Sequence, residues 1–469
     1  MKQISLKKLN DTYQDRFGFS MPEKSVLSFD FGLSEEVIKN ISKSKQEPAW
    51  MKNFRFQSLE IFRQQKLPKW GPSLAEIDFA KIRYFIKDTD TEKKTWAEVP
   101  KEIKDTFDRL GVPQAEKEFL AGVKAQYNSE VAYSSLQAEL DDQGVIFCSM
   151  EEALRKHKKL FREYFATLVP ATDNKFAALN SAAWSGGSFV YIPPNTHVIR
   201  PLQSYFRINA ARMGQFERTL IIADEGSSAH YVEGCTAPVY SEYSLHAAVV
   251  EVFVKKNAHF RYSTIQNWSG NIYNLVTKRA QVFANGVMEW VDGNLGAKVT
   301  MKYPSCYLME EGAYGEMLSI AYAKEQQIQD TGAKMVHLAP HTASKIVSKS
   351  VSVAGGQSNY RGLVYVDKKA TNCQSKVDCD ALILDDLSST NTYPDMKIYG
   401  DNASVAHEAY VSEIEEEKLF YLMSRGLSKT EAITLLVSGF IEPIVKELPL
   451  EYAVELNRLI ELEMEGSVA

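Results

Sequence analysis

Gly226-Ser227-Ser228-Ala229-His230-Tyr231-Val232 and Asn257-Ala258-His259-Phe260-Arg261-Tyr262-Ser263 open a stretch that runs to Glu408 and repeats itself. In each copy a turn on a small residue leads into a short strand with β-type alternation. A second apolar strand then runs to the next turn. The turn anchors read as Asn195, Gly226, Asn257, Gly286, Gly315, Ala343, Asn372 and Asn402, about 28 to 31 residues apart, a solenoid period. Strands such as Val287-Met288-Glu289-Trp290-Val291 and Lys376-Val377-Asp378-Cys379-Asp380 draw on β-branched and aromatic residues. No run between them is long and periodic enough for a crossover helix. One rung alone cannot bury its apolar side, whereas stacked rungs share a continuous core. The pattern therefore predicts a mainly β chain built on a parallel β-helix, with a β-sandwich of regular strand spacing as the alternative.

Working outward, residues 1–170 read as an N-terminal helical region, 171–410 as the β-helix core and 411–469 as a C-terminal helical domain. Ser34 is a good N-cap for a first helix that should stop before Pro48. A second helix is expected from Met51 to Gln65, and a third over Met150 to Leu168 with His157 as a boundary residue. After Asn402 the period changes. Glu415 to Arg425 is helical and closes at Gly426, and Ser428-Lys429-Thr430-Glu431 is a capping box for the next helix. A last helix is expected over Leu450 to Glu463.

The chain has 469 residues, a formal net charge of -6 and 11% aromatics, which suits a large β core and gives no nucleic-acid footprint. Five scattered cysteines are too few for a disulfide framework. The N-terminus has no apolar segment behind its charges, and the apolar run Ala432 to Val445 is too short to span a bilayer. A cytoplasmic protein that meets neither membrane nor nucleic acid is the expectation. There is no GxxxxGK[ST] phosphate loop, no HExxH and no CxxC, so neither a nucleotide-hydrolysing nor a zinc site is signalled.

The cysteines gain meaning on the repeat. Cys379 lies seven residues past Asn372, and His407 five past Asn402. Thr264 and Gln266 lie seven and nine past Asn257, and Cys235 nine past Gly226. Every offset is odd, so these side chains share one face of their strands. Cys379 and His407 fall on neighbouring strands, and a thiolate with an imidazole is an iron or zinc donor set. Cys235 stands five rungs away, about 24 Å at the usual strand spacing. Glu408 has the opposite parity and reaches the pair only if the strand bends.

At these residues the chain resembles the SufB/SufD family of the Suf iron–sulfur assembly system, and within it the SufB scaffolds. The likeness is carried by Gln215 to Asp224, Val232-Glu233-Gly234-Cys235-Thr236-Ala237-Pro238, Gly332 to His337, Asn359 to Val364, Cys379-Asp380-Ala381-Leu382, His407-Glu408-Ala409, Leu419-Phe420-Tyr421 and Glu447 to Glu451. The resemblance implies a right-handed β-helix and a non-enzymatic scaffold. It would accept sulfur from a desulfurase pathway and build a transient 4Fe–4S or 2Fe–2S cluster, with reduced flavin as a further cofactor of the complex. Its implied partners are a SufC-type ATPase, docked on the C-terminal helices, and a SufD-type paralogue or a second copy of the chain. By position, Cys379, His407 and Glu408 match the cluster-assembly and metal-binding residues. Cys235 matches the cysteine of sulfur entry, and Arg207, Asn209, Thr264, Gln266 and Lys278 match polar residues of a sulfur route inside the helix. One departure stands out: Ala406 occupies a place where the family often carries Glu. A SufD-like structural subunit and a polysaccharide-active β-helix enzyme are the alternatives.

Overall fold

The computed structural model describes residues 25–87, 93, 98–101, 103–105, 120–209, 212–237, 243–446 and 460. Its core is a β-solenoid of about 8 turns. One sheet is formed by β1 (Gly122–Tyr127), β2 (Leu202–Arg207), β3 (Ser228–Thr236), β4 (His259–Trp268), β5 (Val287–Gly296), β6 (Tyr314–Lys324), β7 (Ala343–Val353), β8 (Gln374–Ile383) and β9 (Ser404–Glu413). Each is parallel to the next in this order. The returning strands, from Arg218–Ala223 to Ser389–Ile398, make the second sheet behind it. The interior between them is one apolar cluster that includes Tyr231, Tyr262, Trp290, Met317, Ile346 and Val377. Tyr231 and Tyr262 have ring centroids 4.9 Å apart, and Tyr262 and Trp290 5.2 Å, contacts each worth about 0.5–1.5 kcal/mol beyond their burial.

The turns explain the repeat. One corner of each rung holds a residue at positive φ: Asn195, Gly226, Asn257, Asn285, Gly312, His341, Asn372 and Asn402. Asn and Gly tolerate this left-handed conformation best. The corners also stack. Asn285 Nδ2 donates to Asn257 Oδ1 at 3.3 Å, and a Cβ on Gly226 would stand 2.5 Å from Asn195 Oδ1. Five of the eight anchors expected from sequence are these residues. The other three shift: the left-handed residue is Asn285 rather than Gly286, Gly312 rather than Gly315, and His341 rather than Ala343.

The N-terminal region supplies helices α1 (Glu35–Ser44), α2 (Ala49–Gln64), α3 (Met150–Lys156), α4 (Lys158–Tyr164) and α5 (Lys175–Ala183). Ser34 caps α1 as expected, its hydroxyl accepting from Val37 N at 3.2 Å. The single helix expected over Met150 to Leu168 is broken at His157, whose ring stacks on Phe189 at 6.2 Å. The region also contributes β1, which runs beside β2, and the antiparallel strand Glu130–Leu136. Short mixed segments of this kind carry no clear period in the sequence. Two buried ion pairs anchor the helices: Arg55 with Glu47 at 2.6 Å, and Arg218 with Glu251 at 2.8 Å. Glu251 also accepts from the backbone of Leu168 and Val169, both at 2.9 Å, so its charge is fully engaged.

After β9 come α6 (Glu416–Ser424) and α7 (Lys429–Val445), the latter with the expected capping box on Ser428 and Glu431. Ile433, Val437, Ile441 and Ile444 of α7 pack on Val232, Ile265, Val291 and Ile320, the outer face of the first sheet. The helix expected over Leu450 to Glu463 lies outside the described residues except for Ile460. Among the described residues no helix is long and apolar enough to cross a membrane.

Candidate functional site

Because every rung restarts at a left-handed corner, residues at equal distance from it stack in columns. The residues seven past the corner are Glu233, Thr264, Asp292, Ser319, Ser348 and Cys379, each the register partner of the next. All six are buried. Those nine past are Cys235, Gln266, Asn294, Ala321, Ser350 and Ala381. Those five past run from Tyr231 through Val377 to His407. A polar column thus runs through an apolar core, with Cys379 at one end and Glu233, beside Cys235, at the other.

Near Cys235 the column is crowded with charge. The Cys235 thiol donates to Glu233 Oε1 at 3.6 Å, and the Tyr262 hydroxyl donates to Glu233 Oε2. From the second sheet, Lys278 Nζ donates to Thr264 and to Asp292 Oδ1 at 3.3 Å. Lys302 Nζ stands 3.1 Å from Asp292 Oδ2 and donates to Gln266 at 3.3 Å. Asn274 donates to Gln266 at 2.7 Å and meets His246 at 2.7 Å, and His246 closes the chain on Glu217. Unpaired, such charges would not stay ionised in a core. Burial pushes the Cys235 thiol well up, and Glu233 adds to it. Burial also raises Glu233. Burial works against the Asp292 carboxylate, but Lys278 and Lys302 hold its pKa down. Burial brings Lys302 down to about 8 despite Asp292. His246 goes the other way: burial opposes protonation, yet Glu217 raises its pKa.

The far end is different. His407 is the register partner of Val377, two residues before Cys379, so the pair sits on one face of neighbouring strands, diagonally rather than opposite. Tyr360 lies between them, its ring 6.2 Å from that of His407. Tyr360 belongs to a second polar column, Lys302, Thr331, Tyr360 and Thr392, that faces the first. Burial pushes the Cys379 thiol up to about 12, with the Tyr360 hydroxyl opposing. Burial lowers His407, with Asp378 opposing, so the imidazole is neutral at pH 7. The Tyr360 hydroxyl hydrogen-bonds Cys379, whereas His407 Nε2 is a buried polar atom without a hydrogen-bond partner among the described residues. The crevice that Tyr360 and His407 line holds only ≈ 10 Å³, too little for a cluster as it stands.

Of the sequence-derived site residues, the structure joins Lys278 to Thr264 directly, reaches Gln266 through Asp292 and Lys302, and links Cys235 to Glu233 at the head of the same column. Cys379 and His407 share its far end. Glu408 stays apart: no bend turns the strand, and it pairs in register with Asp378 on the outward, exposed side. Arg207 pairs with Thr236, one residue past the Phe206–Cys235 pair, and by the pleat starts from the opposite face. It donates to Thr236 at 3.1 Å. Asn209 lies beyond that strand end, with its N–H on Asn128 at 2.7 Å. Among the described residues no three His, Cys, Asp or Glu side chains gather closely enough to hold a metal ion. Sequence reading missed Glu217, Glu233, His246, Asp292, Lys302 and Tyr360. The offset of seven from the true corners marks Glu233 and Asp292.

Comparison with known proteins finds relatives over nearly the whole chain. A family model described as "SUF system FeS cluster assembly, SufBD core domain" matches residues 206–440, and one described as "SufBD protein N-terminal region" matches 33–204. An iron-sulfur cluster assembly SufBD family protein of Staphylococcus saprophyticus is 57% identical over 462 residues, 98% of this chain and 99% of that one. Proteins of the same description in Staphylococcus epidermidis and Staphylococcus aureus are 57% and 56% identical over the same share of each chain.

Proposed function

The chain belongs to the SufBD family of iron–sulfur cluster assembly proteins, and from that premise we propose that it is the SufB-type scaffold of the family. In this reading it is not an enzyme. Sulfur enters at Cys235, passes along the buried polar column and reaches Cys379, where a transient 4Fe–4S or 2Fe–2S cluster is built as cargo. The column supports this most directly, because it places hydrogen-bonding groups on every rung between the two cysteines. At about 24 Å, or five strand spacings, the two sulfurs cannot exchange by contact. A free sulfide can carry the outer sulfur: HS⁻ takes it from the Cys235 persulfide as HSS⁻ and the Cys235 thiolate leaves, then the Cys379 thiolate takes it from HSS⁻ and HS⁻ leaves, with no net redox change.

On binding iron, Cys379 would give up its thiol proton and supply one thiolate, and the neutral His407 one imidazole. Four thiolates hold a cluster firmly; two mixed ligands hold it loosely, which suits a cluster meant to leave. The remaining ligands and the missing room have to come from a partner at the open end of the solenoid. Tyr393, Met396, Tyr410 and Val411 are exposed there on edge strands paired on one side only, a surface that asks for a SufD-type paralogue or a second copy. The exposed Phe420 and Tyr421 of α6 offer a place for a SufC-type ATPase, which would supply the phosphate chemistry this sequence lacks. The reading as a SufD-like structural subunit is favoured by one feature, the smallness of the crevice at His407.

Anaerobic reconstitution with iron and sulfide, with and without the co-purified partners, separates the two. A SufB-type scaffold gives a charge-transfer absorption band that Cys379→Ala reduces to background while the far-UV spectrum stays unchanged. Equal reconstitution by Cys379→Ala assigns the cluster elsewhere.

A further inference from the structure

On the flank of the solenoid a cavity of ≈ 400 Å³ opens between the segment after α2 and the second sheet. Its walls include Lys66, Trp70, Asp173, Arg279, Tyr303 and Lys334. Three of these are cations and one is an anion. The Asp173 carboxylate is already engaged, accepting from Arg279 Nη1 at 2.7 Å and from Asn174 Nδ2 at 3.0 Å. Arg279 spends its Nη1 on Asp173 and on the Leu168 carbonyl at 3.0 Å, while its Nε is buried without a partner. Lys334 is half-buried and makes no hydrogen bond or ion pair among the described residues; the Tyr303 ring, 5.8 Å away, is its neighbour. Burial, and then the nearby Arg279 charge, lower the Lys334 pKa. Two cations facing one empty polar space destabilise each other, and an anion between them would relieve both. The α5 N-terminus opens on the same space at Asn174 and adds positive potential.

Two aromatic rings stand beside these charges, Tyr303 next to Lys334 and Trp70 with Arg361 5.8 Å from its ring. Trp70 is 52% exposed and leans on Tyr303, with ring centroids 5.7 Å apart and planes tilted by 55°. Leu275 and Met301 also line the cavity. A large, half-exposed indole beside a cluster of cations is the pairing that receives a planar ring with an anionic tail. The volume falls within the range of small-ligand sites, about 300–1,000 Å³.

We propose that this flank cavity binds a phosphate-bearing aromatic ligand of mononucleotide size, with the phosphate between Lys334 and Arg279 and the ring against Trp70. The site borders the polar column through Lys278, which lines both, but its proposed ligand contacts, Lys334, Arg279 and Trp70, belong to the flank alone. It shares no side-chain contact with Cys379 or His407, and it involves no hydrolysis.

The test uses the full chain and AMP as the probe, with adenosine and inorganic phosphate as its two halves. Calorimetric titration should show saturable AMP binding, with adenosine and phosphate each binding at least about tenfold more weakly. Lys334→Ala should weaken AMP by about tenfold or more, the effect of one charge-assisted contact, and Lys334→Gln should do the same if the alanine variant is poorly folded. Trp70→Ala should weaken AMP and leave phosphate unaffected. The thermal midpoint of the parent should rise with AMP and that of Lys334→Gln should not. Absence of saturable AMP binding would overturn the proposal. Parent-like binding by both Lys334 variants, or inorganic phosphate binding as tightly as AMP, would overturn it as well.

Discussion

The rungs around Asp292 and the last two rungs of the solenoid are built on the same frame, yet their chemistry is opposite. At Asp292 the charges are gathered into pairs: Lys278 and Lys302 meet the carboxylate, and Glu217 meets His246. At the end of the column, none of Cys379, Tyr360 and His407 takes part in an ion pair among the described residues, and the edge strands beside them expose Tyr393, Met396, Tyr410 and Val411. The first region is finished within one chain. The second is complete only when something else arrives. A repeat fold makes this division possible, because each rung depends mainly on its neighbours and the terminal one can be left open.

The sharpest way to break the comparison is to unbalance the closed region. Asp292→Ala leaves two ammoniums buried without their carboxylate, and the expected loss is about 3–5 kcal/mol, read as a lower denaturant midpoint at constant slope. A loss below about 1 kcal/mol would mean that this region is hydrated and no more closed than the far end.

Two histidines sharpen it next, through pH: His246 in the closed region and, as a reference outside both, His337 at the end of the returning strand Ile328–His337, whose ring meets Thr342 at 2.8 Å and Ser344 at 3.0 Å. Burial lowers His337 to about 4. A histidine whose folded pKa lies below its unfolded 6.5 stabilises fully above that value, and the contribution is lost as pH falls towards 4. This amounts to up to about 3 kcal/mol. His246 has the reverse sign: held charged by Glu217, it contributes fully below pH 6.5 and loses that contribution as pH rises through its raised folded pKa. His337→Gln should therefore flatten the acid limb of the stability profile, and His246→Gln the limb above neutrality. Identical profiles for the two variants would contradict the assignment.

At the open end, Tyr410→Lys should leave the chain's own stability within about 0.5 kcal/mol, since the side chain is exposed, while abolishing assembly with a partner or second copy in analytical ultracentrifugation. Retained assembly would place the partner face elsewhere. The smallest effect is expected of Glu408→Ala. Its carboxylate points outward beside Asp378, so stability and reconstitution by the isolated chain should stay at parent level. A loss comparable to that of Cys379→Ala would show that the last strand turns over in the working state.

The sequence exposed the solenoid because Asn195, Gly226, Asn257, Asn372 and Asn402 are residue types that favour a left-handed corner. The columns through Cys379, Thr264 and Cys235 followed from those corners. It hid the middle of the column because His341 carries no turn signal and the neighbouring Gly286 and Gly315 attract the eye instead of Asn285 and Gly312. Counted from the wrong residue, Asp292 and Ser319 fall on the outer face. Lys302 and Tyr360 lie on the returning strands, where no anchor sets the parity, so their approach to Asp292 and Cys379 is a property of the folded chain alone. The diagonal offset between Cys379 and His407 was legible; the Tyr360 ring between them was not.

Sulfur tracking tests the central claim most directly. The protein is loaded with an isotopically labelled persulfide donor and quenched over time, and peptides containing Cys235 and Cys379 are read by mass spectrometry. The column predicts label first on Cys235 and later on Cys379, with Ser319→Ala combined with Ser348→Ala trapping it at Cys235. Prompt labelling of Cys379 in a Cys235→Ala variant, or unchanged transfer after both serines are removed, would contradict it.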